Sequence, residues 1–181
     1  GSEMCIRDRM QQEKKLVSLY HFVGGREKIL EGYILYITEQ ELLAAKISER
    51  GEYDGFILER PDHFFRAQTD GSKERRIGTL YLHKKRSHGR IIKKDHQSCM
   101  EALLRYAKEQ RLLVSFYMDE DRRYSILGSV LDFSKNFVKV QKINTDGFED
   151  GFVYLDIQKV ISCRCDTAKE QDILLLNHVN C

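Results

Sequence analysis

The residues with the clearest chemical potential form a window of positive charge at residues 73–96. This window holds nine Lys or Arg residues and two acidic ones, a net charge of +7. The segments on either side, residues 10–72 and 97–181, carry net charges of −3 and −2. Clustered cations attract phosphate groups. The window therefore predicts a binding site for RNA, single-stranded DNA or a nucleotide.

Nine side chains of this window are the candidate phosphate-binding residues. Eight are cations, and the ninth is an aromatic ring that could stack on a base. They are Arg75, Arg76, Lys84, Lys85, Arg86, Arg90, Lys93, Lys94 and Tyr81. A solvated basic linker at residues 84–96 is the alternative interpretation, since Ser87-His88-Gly89 is typical of a loop tip.

A second group of side chains has the chemistry of zinc ligands. Its members are Cys163, Cys165, His178 and Cys181. Their spacing is not that of an accepted zinc motif. Two cysteines separated by one residue on a strand share a face, and free cysteines commonly fill cores. We therefore expect Cys163 and Cys165 to be core residues, with no metal and no cofactor, and keep zinc as the alternative.

Three pairs of side chains recur at equivalent positions in the two halves of the chain. They are Asp54 and Asp150, Phe56 and Phe152, and Tyr20 and Tyr117. Each pair could belong to a duplicated binding site. Asp-Gly is more typical of a tight turn, and phenylalanine of a core. The tyrosines end the first strands, where they could close a barrel or line a groove.

Catalytic signatures are missing from the sequence. It contains no Gly-x-Ser-x-Gly elbow, phosphate-binding P-loop, His-Glu-x-x-His or dinucleotide fingerprint. The six histidines are scattered, and half of them fall in the basic window. We therefore expect a binding protein and not an enzyme.

Composition limits the class of protein. The 181 residues are 41% hydrophobic and 10% aromatic, which is typical of a folded chain. The longest aliphatic run, residues 173–176, is far shorter than the roughly 20 residues that span a bilayer. Five irregularly spaced cysteines do not form a secreted disulfide pattern. These features predict a cytoplasmic protein without a membrane partner.

The positioning elements follow from an internal repeat. Residues 16–20 recur as residues 113–117, and matches such as Gly32 with Gly128 continue at an offset of 96. The repeat predicts a tandem duplication of a unit of about 70–80 residues.

Each unit is predicted to contain five short strands. In the second unit they lie near residues 113–117, 126–133, 137–143, 151–165 and 173–176. One helix near residues 97–111 is predicted between the units, because Ser98 and Glu101 have capping-box spacing before an apolar stripe.

Both units share a pattern of glycine, an apolar residue and a further apolar or aromatic residue in the second strand. The residues are Gly32, Ile34 and Ile37, and Gly128, Val130 and Phe133. This pattern, in a helix followed by five strands, resembles the Sm-like small barrel. Gly-x-x-Asp-Gly-Phe followed by Asp-x-x-Lys-Glu also resembles uncharacterised bacterial proteins of this type. Sm proteins next have an aspartate where this chain has Ser134 or Thr38, so the resemblance implies the barrel without the uridine pocket.

The expected fold is therefore mainly β (α+β), with two tandem five-stranded Sm-like small barrels joined by a helix. Residues 1–9 are expected to be a tag or artefact, since residues 4–9 resemble a translated sequencing adapter. The first repeat then occupies residues 10–83, the basic linker residues 84–96, and the helix with the second repeat residues 97–181. The repeats are expected to form a pseudo-dimer within the chain, and homo-oligomers could follow.

The sequence thus predicts a non-catalytic module that binds nucleic acid or a nucleotide through residues 73–96. A role in regulation or in phage–host conflict is part of this expectation. The first alternative is a protein–protein interaction module that acts through barrel edges or grooves. The second alternative is a small-molecule hydrolase, which would need a pocket with converging polar groups.

Overall fold

The structure is a computed structural model that describes residues 15–181. The adapter-like segment at residues 1–9 lies outside the described residues. The chain divides into two compact units between Ile91 and Ile92. We call the described residues up to Ile91 unit 1 and those from Ile92 onward unit 2.

Unit 1 is a five-stranded antiparallel arrangement followed by a helix. Its elements are β1 (Val17–Val23), β2 (Arg26–Ile37), β3 (Leu42–Ile47), β4 (Tyr53–Glu59), a one-turn 3-10 helix (Pro61–His63), β5 (Phe64–Gln68) and α1 (Ser72–His83). The strands lie in the order β5-β1-β2-β3-β4. β1 pairs with both β2 and β5.

Unit 2 begins with a helix and then repeats the same arrangement. Its elements are α2 (Cys99–Gln110), β6 (Leu113–Tyr117), β7 (Ser125–Phe133), β8 (Phe137–Ile143), β9 (Glu149–Asp156), a one-turn 3-10 helix (Ile157–Lys159), β10 (Ser162–Cys165) and α3 (Ala168–Asn180). The strand order is β10-β6-β7-β8-β9, which is the order of unit 1. The two units therefore share one strand order, as the internal repeat predicts.

The closed barrels expected from the sequence are not seen. Within residues 15–181, the outermost strands of each unit, β4 with β5 and β9 with β10, do not pair with each other. Each unit is therefore an open five-stranded arrangement, and the mainly β, α+β class is what the structure supports.

The helices correct one part of the sequence interpretation. α2 is confirmed, and the Ser98 hydroxyl accepts the Glu101 backbone N–H at 3.1 Å. Residues 173–176 were expected to form a strand but lie inside α3, since Thr167 and Glu170 form a capping box that starts a helix there. None of the helices in residues 15–181 has the length and apolarity needed to cross a bilayer.

Equivalent side chains build the two cores. In unit 1, Ile77 of α1 packs with Leu16 and Ile47. In unit 2, Ile173 of α3 packs in the same way with Leu113 and Ile143, joined by one further leucine. The helix after the fifth strand therefore closes the core of each unit through the same isoleucine position. Burying such a side chain stabilises a fold by about 1.5–3 kcal/mol.

The repeated glycines of the second strands are required by strand packing. A Cβ at Gly32 would collide with the Ala45 carbonyl oxygen, and one at Gly128 would collide with that of Gln141. Neither obstacle is a flexible side-chain end, so the neighbouring strand would have to move. This requirement explains why glycine stands at both positions of the repeat.

Replacing Gly128 with alanine should therefore destabilise unit 2. We expect Gly128→Ala to lower the free energy of unfolding by about 1–3 kcal/mol, the usual cost of overpacking. Gly89→Ala is the matched control, because a Cβ there meets no atom within 4 Å. Urea unfolding of both variants measures the difference. Equal stabilities of the two variants would contradict the strand-packing explanation.

Candidate phosphate-binding surface

α1 carries the first cations of the basic window and is fixed by its buried N-terminal turn. The Ser18 hydroxyl on β1 donates to Glu74 Oε1 at 2.7 Å, and Gln68 Nε2 donates to Glu74 Oε2 at 3.4 Å. Glu74 is almost fully buried, whereas the next two residues, Arg75 and Arg76, are exposed. The anchored glutamate therefore fixes the helix that presents two guanidinium groups to solvent.

Residues 84–90 are packed against unit 1. The Tyr53 backbone N–H donates to the Arg86 carbonyl at 2.8 Å. Lys84 Nζ donates to the Arg50 carbonyl at 2.6 Å. These contacts attach the segment to the start of β4. The first part of the predicted basic linker (84–96) therefore contacts unit 1, and we call residues 84–90 the docked segment.

One carboxylate neutralises part of the positive charge of the docked segment. Glu52 lies 3.2 Å from Lys84 Nζ and 3.5 Å from an Arg86 guanidinium nitrogen. The hydrogen bond from Lys84 is the main reason why the pKa of Glu52 lies below its usual range, although partial burial opposes it. Lys84 and Arg86 therefore serve first to hold the segment in place.

His88 is the anchor of the docked segment. Its Nε2 lies 2.7 Å from the Gly55 carbonyl oxygen, and its Nδ1 lies 2.6 Å from the Tyr81 hydroxyl. The ring centroid lies 4.4 Å from that of Tyr53 and 5.0 Å from that of Phe56. His88 is therefore held by two hydrogen bonds and two aromatic neighbours.

These partners define the protonation of His88. A carbonyl oxygen can only accept, so Nε2 carries a hydrogen, and the neutral Nδ1 accepts from the Tyr81 hydroxyl. Burial lowers the pKa of His88, and its contacts with Gly55 and Asp54 oppose that effect only in part. The docked geometry is therefore that of a neutral imidazole.

Tyr81 is engaged inside unit 1. Its hydroxyl accepts the His88 backbone N–H at 2.7 Å, and its ring centroid lies 5.7 Å from that of Tyr33. Burial raises the pKa of Tyr81. In this structure its ring packs against protein side chains and supports the docked segment.

The remaining cations of the window differ in their surroundings. Arg75, Arg76 and Lys85 are exposed, and none of the three has an ion pair within residues 15–181. Arg90 is also exposed. Lys93 and Lys94 belong to unit 2, where Lys93 is exposed and Lys94 half-buried. Unit 1 thus carries six of the eight predicted cations.

The repeated aspartates lie within strands. Asp54 in β4 pairs with Lys46. Asp150 in β9 lies 3.3 Å from Lys142 Nζ, at the equivalent position. Each is followed by a glycine with positive φ, where the register of the ladder shifts. The predicted Asp-Gly turn is therefore a β-bulge within a strand in both units.

The repeated aromatic residues have diverged in exposure. Phe56 is fully buried, whereas Phe152 is 62% exposed. Tyr20 is buried beneath the Arg66 guanidinium, whose carbon lies 4.3 Å above the ring. Tyr117 is half-buried, with Lys169 Nζ 5.9 Å from its ring centroid. The scaffold is shared between the units, but these surfaces are not.

Two of the four possible zinc ligands are core residues. Cys163 and Cys165 in β10 are fully buried, and the Cys163 thiol lies 3.9 Å from the Met100 sulfur. Burial, with nearby acidic groups, raises the pKa of Cys165 well above its usual range, which disfavours a thiolate. His178 lies near the end of α3, and Cys181 follows the helix as an exposed thiol. Within residues 15–181, no group of three His, Cys, Asp or Glu side chains is placed to hold a metal.

Sequence reasoning missed three features of this surface. It gave no role to Glu52 or to His88, because their contacts join segments that are distant in sequence. It also missed the exposed rings of Phe22 and Phe65. A signal existed for these rings, since the repeat places Asp119 and Ile161 at the equivalent positions.

Comparison with known proteins adds no assignment. No protein-family model, curated protein or solved structure matches the chain. The function must therefore be inferred from the surface of the protein itself.

His88 should control the access of proteases to the docked segment. In His88→Ala two hydrogen bonds and the ring contacts are lost, so trypsin should cleave after Lys84, Lys85 and Arg86 about tenfold faster. His83→Ala, on the exposed face near the end of α1, is the control and should leave these rates unchanged. Mass spectrometry of the early fragments measures the effect. Equal rates in wild type and His88→Ala would show that His88 does not anchor the segment.

The stabilising contribution of His88 should depend on pH. Because burial lowers its pKa in the folded state, the unfolded chain binds the proton more readily. The contribution is complete above the unfolded value of about 6.5 and is lost as the pH falls below it. The free energy of unfolding of wild type minus that of His88→Gln should therefore shrink between about pH 7.5 and about pH 5.5. Urea titrations that give parallel pH curves would contradict this mechanism.

Proposed function

We propose that this protein binds the phosphates of a nucleic acid or nucleotide through unit 1. The proposed surface consists of α1 and the docked segment. The observation that carries the proposal is the exposure, without ion-pair partners in residues 15–181, of Arg75, Arg76 and Lys85. Such cations release counterions when they meet phosphates, which is the main driving force of this kind of binding.

The order of the surface supports the proposal. Arg75 and Arg76 extend from a helix whose N-terminal turn is anchored by Glu74. Lys85 belongs to the segment that His88 and Tyr53 hold. Cations on an ordered backbone lose less conformational freedom on binding than cations on a flexible linker. The docking therefore favours a binding surface over a mere connector.

The charge of the two units supports the same choice. Residues 15–91 contain 14 basic and 11 acidic residues, a net charge of +3. Residues 92–181 contain 13 basic and 14 acidic residues, a net charge of −1. A phosphate-bearing ligand is therefore attracted to unit 1.

Free thiols at Cys99, Cys163, Cys165 and Cys181 support a reducing, cytoplasmic setting.

The experiment is a salt titration of binding to labelled single-stranded RNA, single-stranded DNA and nucleotides. The triple variant Arg75→Ala, Arg76→Ala and Lys85→Ala should weaken binding and reduce the log–log salt slope by about 2. The matched control replaces three exposed cations of unit 2, Arg105, Lys108 and Lys135, with alanine. Binding that is absent near 50 mM salt, or equal in both triple variants, would overturn the proposal.

A second candidate function is protein interaction through unit 2. The outer strand β9 exposes Phe152 and Tyr154, at 62% and 65% of their surface. Exposed aromatic residues on an outer strand are typical of interaction surfaces. Homo-oligomerisation through this strand is the simplest version of the hypothesis, and light scattering of Phe152→Ala tests it.

A further inference from the structure

Unit 1, like unit 2, exposes aromatic side chains, and in unit 1 an arginine lies beside them. Phe22 on β1 and Phe65 on β5 are 62% and 52% exposed. Their rings stack, with centroids 4.8 Å apart and planes inclined by 18°. Beside them the guanidinium carbon of Arg66 lies 4.3 Å from the centroid of the buried Tyr20 ring. We call these four residues the aromatic platform.

The aromatic platform continues into the proposed phosphate surface. Tyr20 pairs in register with Arg66, and Ser18 pairs with Gln68, so these side chains share one face of β1 and β5. Ser18 is the residue that anchors Glu74 at the start of α1. Phe22 therefore lies four residue steps along β1 from Ser18 at the base of α1, a span of about 13 Å.

Lys73 connects the two regions on the same face. It forms an ion pair with Glu31, which pairs in register with Ser18 on β1. Arg76 lies one helical turn beyond Lys73 and is therefore its neighbour along the helix surface. Along this face the exposed aromatic rings lie at one end, Arg66 lies beside them, and the cations of α1 lie at the other end.

The chemistry of this path is that of single-stranded nucleic acid recognition. Unpaired bases stack on aromatic rings and on guanidinium planes, and cations beside the rings contact the phosphates. Bases within a duplex are already stacked and have no free face to offer. Glu27 pairs in register with Phe22, and a carboxylate there repels phosphates. The phenylalanine end of the platform therefore suits bases, and the arginine end suits phosphates.

Unit 2 provides the contrast that favours a nucleic acid over a protein partner at the aromatic platform. Its exposed rings Phe152 and Tyr154 lie on a strand that also carries Glu149, Asp150 and Asp156. Lys139 already covers both rings, with its Nζ 5.1 Å and 5.6 Å from their centroids. In unit 1, by contrast, the exposed rings belong to the unit with net positive charge and lie beside the exposed Arg66.

We propose that the exposed Phe22, Phe65 and Arg66 of the aromatic platform stack the bases of a single-stranded nucleic acid whose phosphates lie along α1, with Tyr20 as the buried ring beneath Arg66. This inference rests on the proposed function and deepens it, because it names a single strand as the ligand class. It excludes a duplex and a free mononucleotide as the preferred ligand.

The test compares a single-stranded RNA of about twelve nucleotides with an abasic strand of equal length and with the same RNA in a duplex. Wild type should prefer the base-bearing strand to the abasic strand and to the duplex by at least about fivefold. The double variant Phe22→Ala and Phe65→Ala should lose that preference and keep the salt slope, since its cations remain. The control, Phe152→Ala with Tyr154→Ala, should behave as wild type.

The outcomes separate the two proposals. Salt-dependent binding that is equal for base-bearing and abasic strands, in wild type and in the double variant, would overturn the aromatic platform and leave the phosphate surface standing. Absence of binding to every probe would overturn both. Light scattering is run on the same samples. Self-association that disappears in the double variant, with strand binding unchanged, would show that a second copy occupies the rings and would also overturn the inference.

Discussion

The hydrogen bond from the Ser18 hydroxyl to the buried Glu74 carboxylate is the interaction on which the candidate surface of unit 1 depends. A buried carboxylate is costly unless it is satisfied, so this contact fixes where α1 begins on the sheet. Tyr81 lies on α1, and its hydroxyl accepts a hydrogen bond from the His88 backbone N–H. His88 then holds the docked segment. The basic surface is thus positioned by a chain of polar contacts that starts in the core.

The duplication separates the contacts that both units share from those that one unit has. Gly51 lies against Leu80 in unit 1, and Gly147 lies against Leu176 in unit 2, each with positive φ. Equivalent cores and ion pairs recur in the same way. The surfaces differ, since the aromatic–arginine face of unit 1 has no counterpart at Asp119 and Ile161. We infer that the repeat preserved the fold while the surfaces of the two units diverged.

The sequence predicted the features that rest on local pattern. Alternating residues located β7 and β8, and the Ser98 cap located α2. It did not predict α1, because the equivalent residues of unit 2, residues 173–176, were assigned to a strand. It also did not predict that His88 docks or that Phe22 stacks on Phe65, because strand register and loop packing bring these residues together. The predicted closure of each barrel is not seen, because closure depends on how the outer strands pair and local sequence pattern does not determine that pairing.

The most direct test of the account is a nuclear magnetic resonance titration of the isotopically labelled chain with a short single-stranded RNA. The central claim is that unit 1 is the binding unit. If unit 1 binds the strand, amide signals shift at Phe22, at Phe65 and Arg66, and along α1 at Arg75 and Arg76. The amide signals of β8 and β9 then stay in place. Shifts confined to unit 2, or no shifts at low salt, would contradict it.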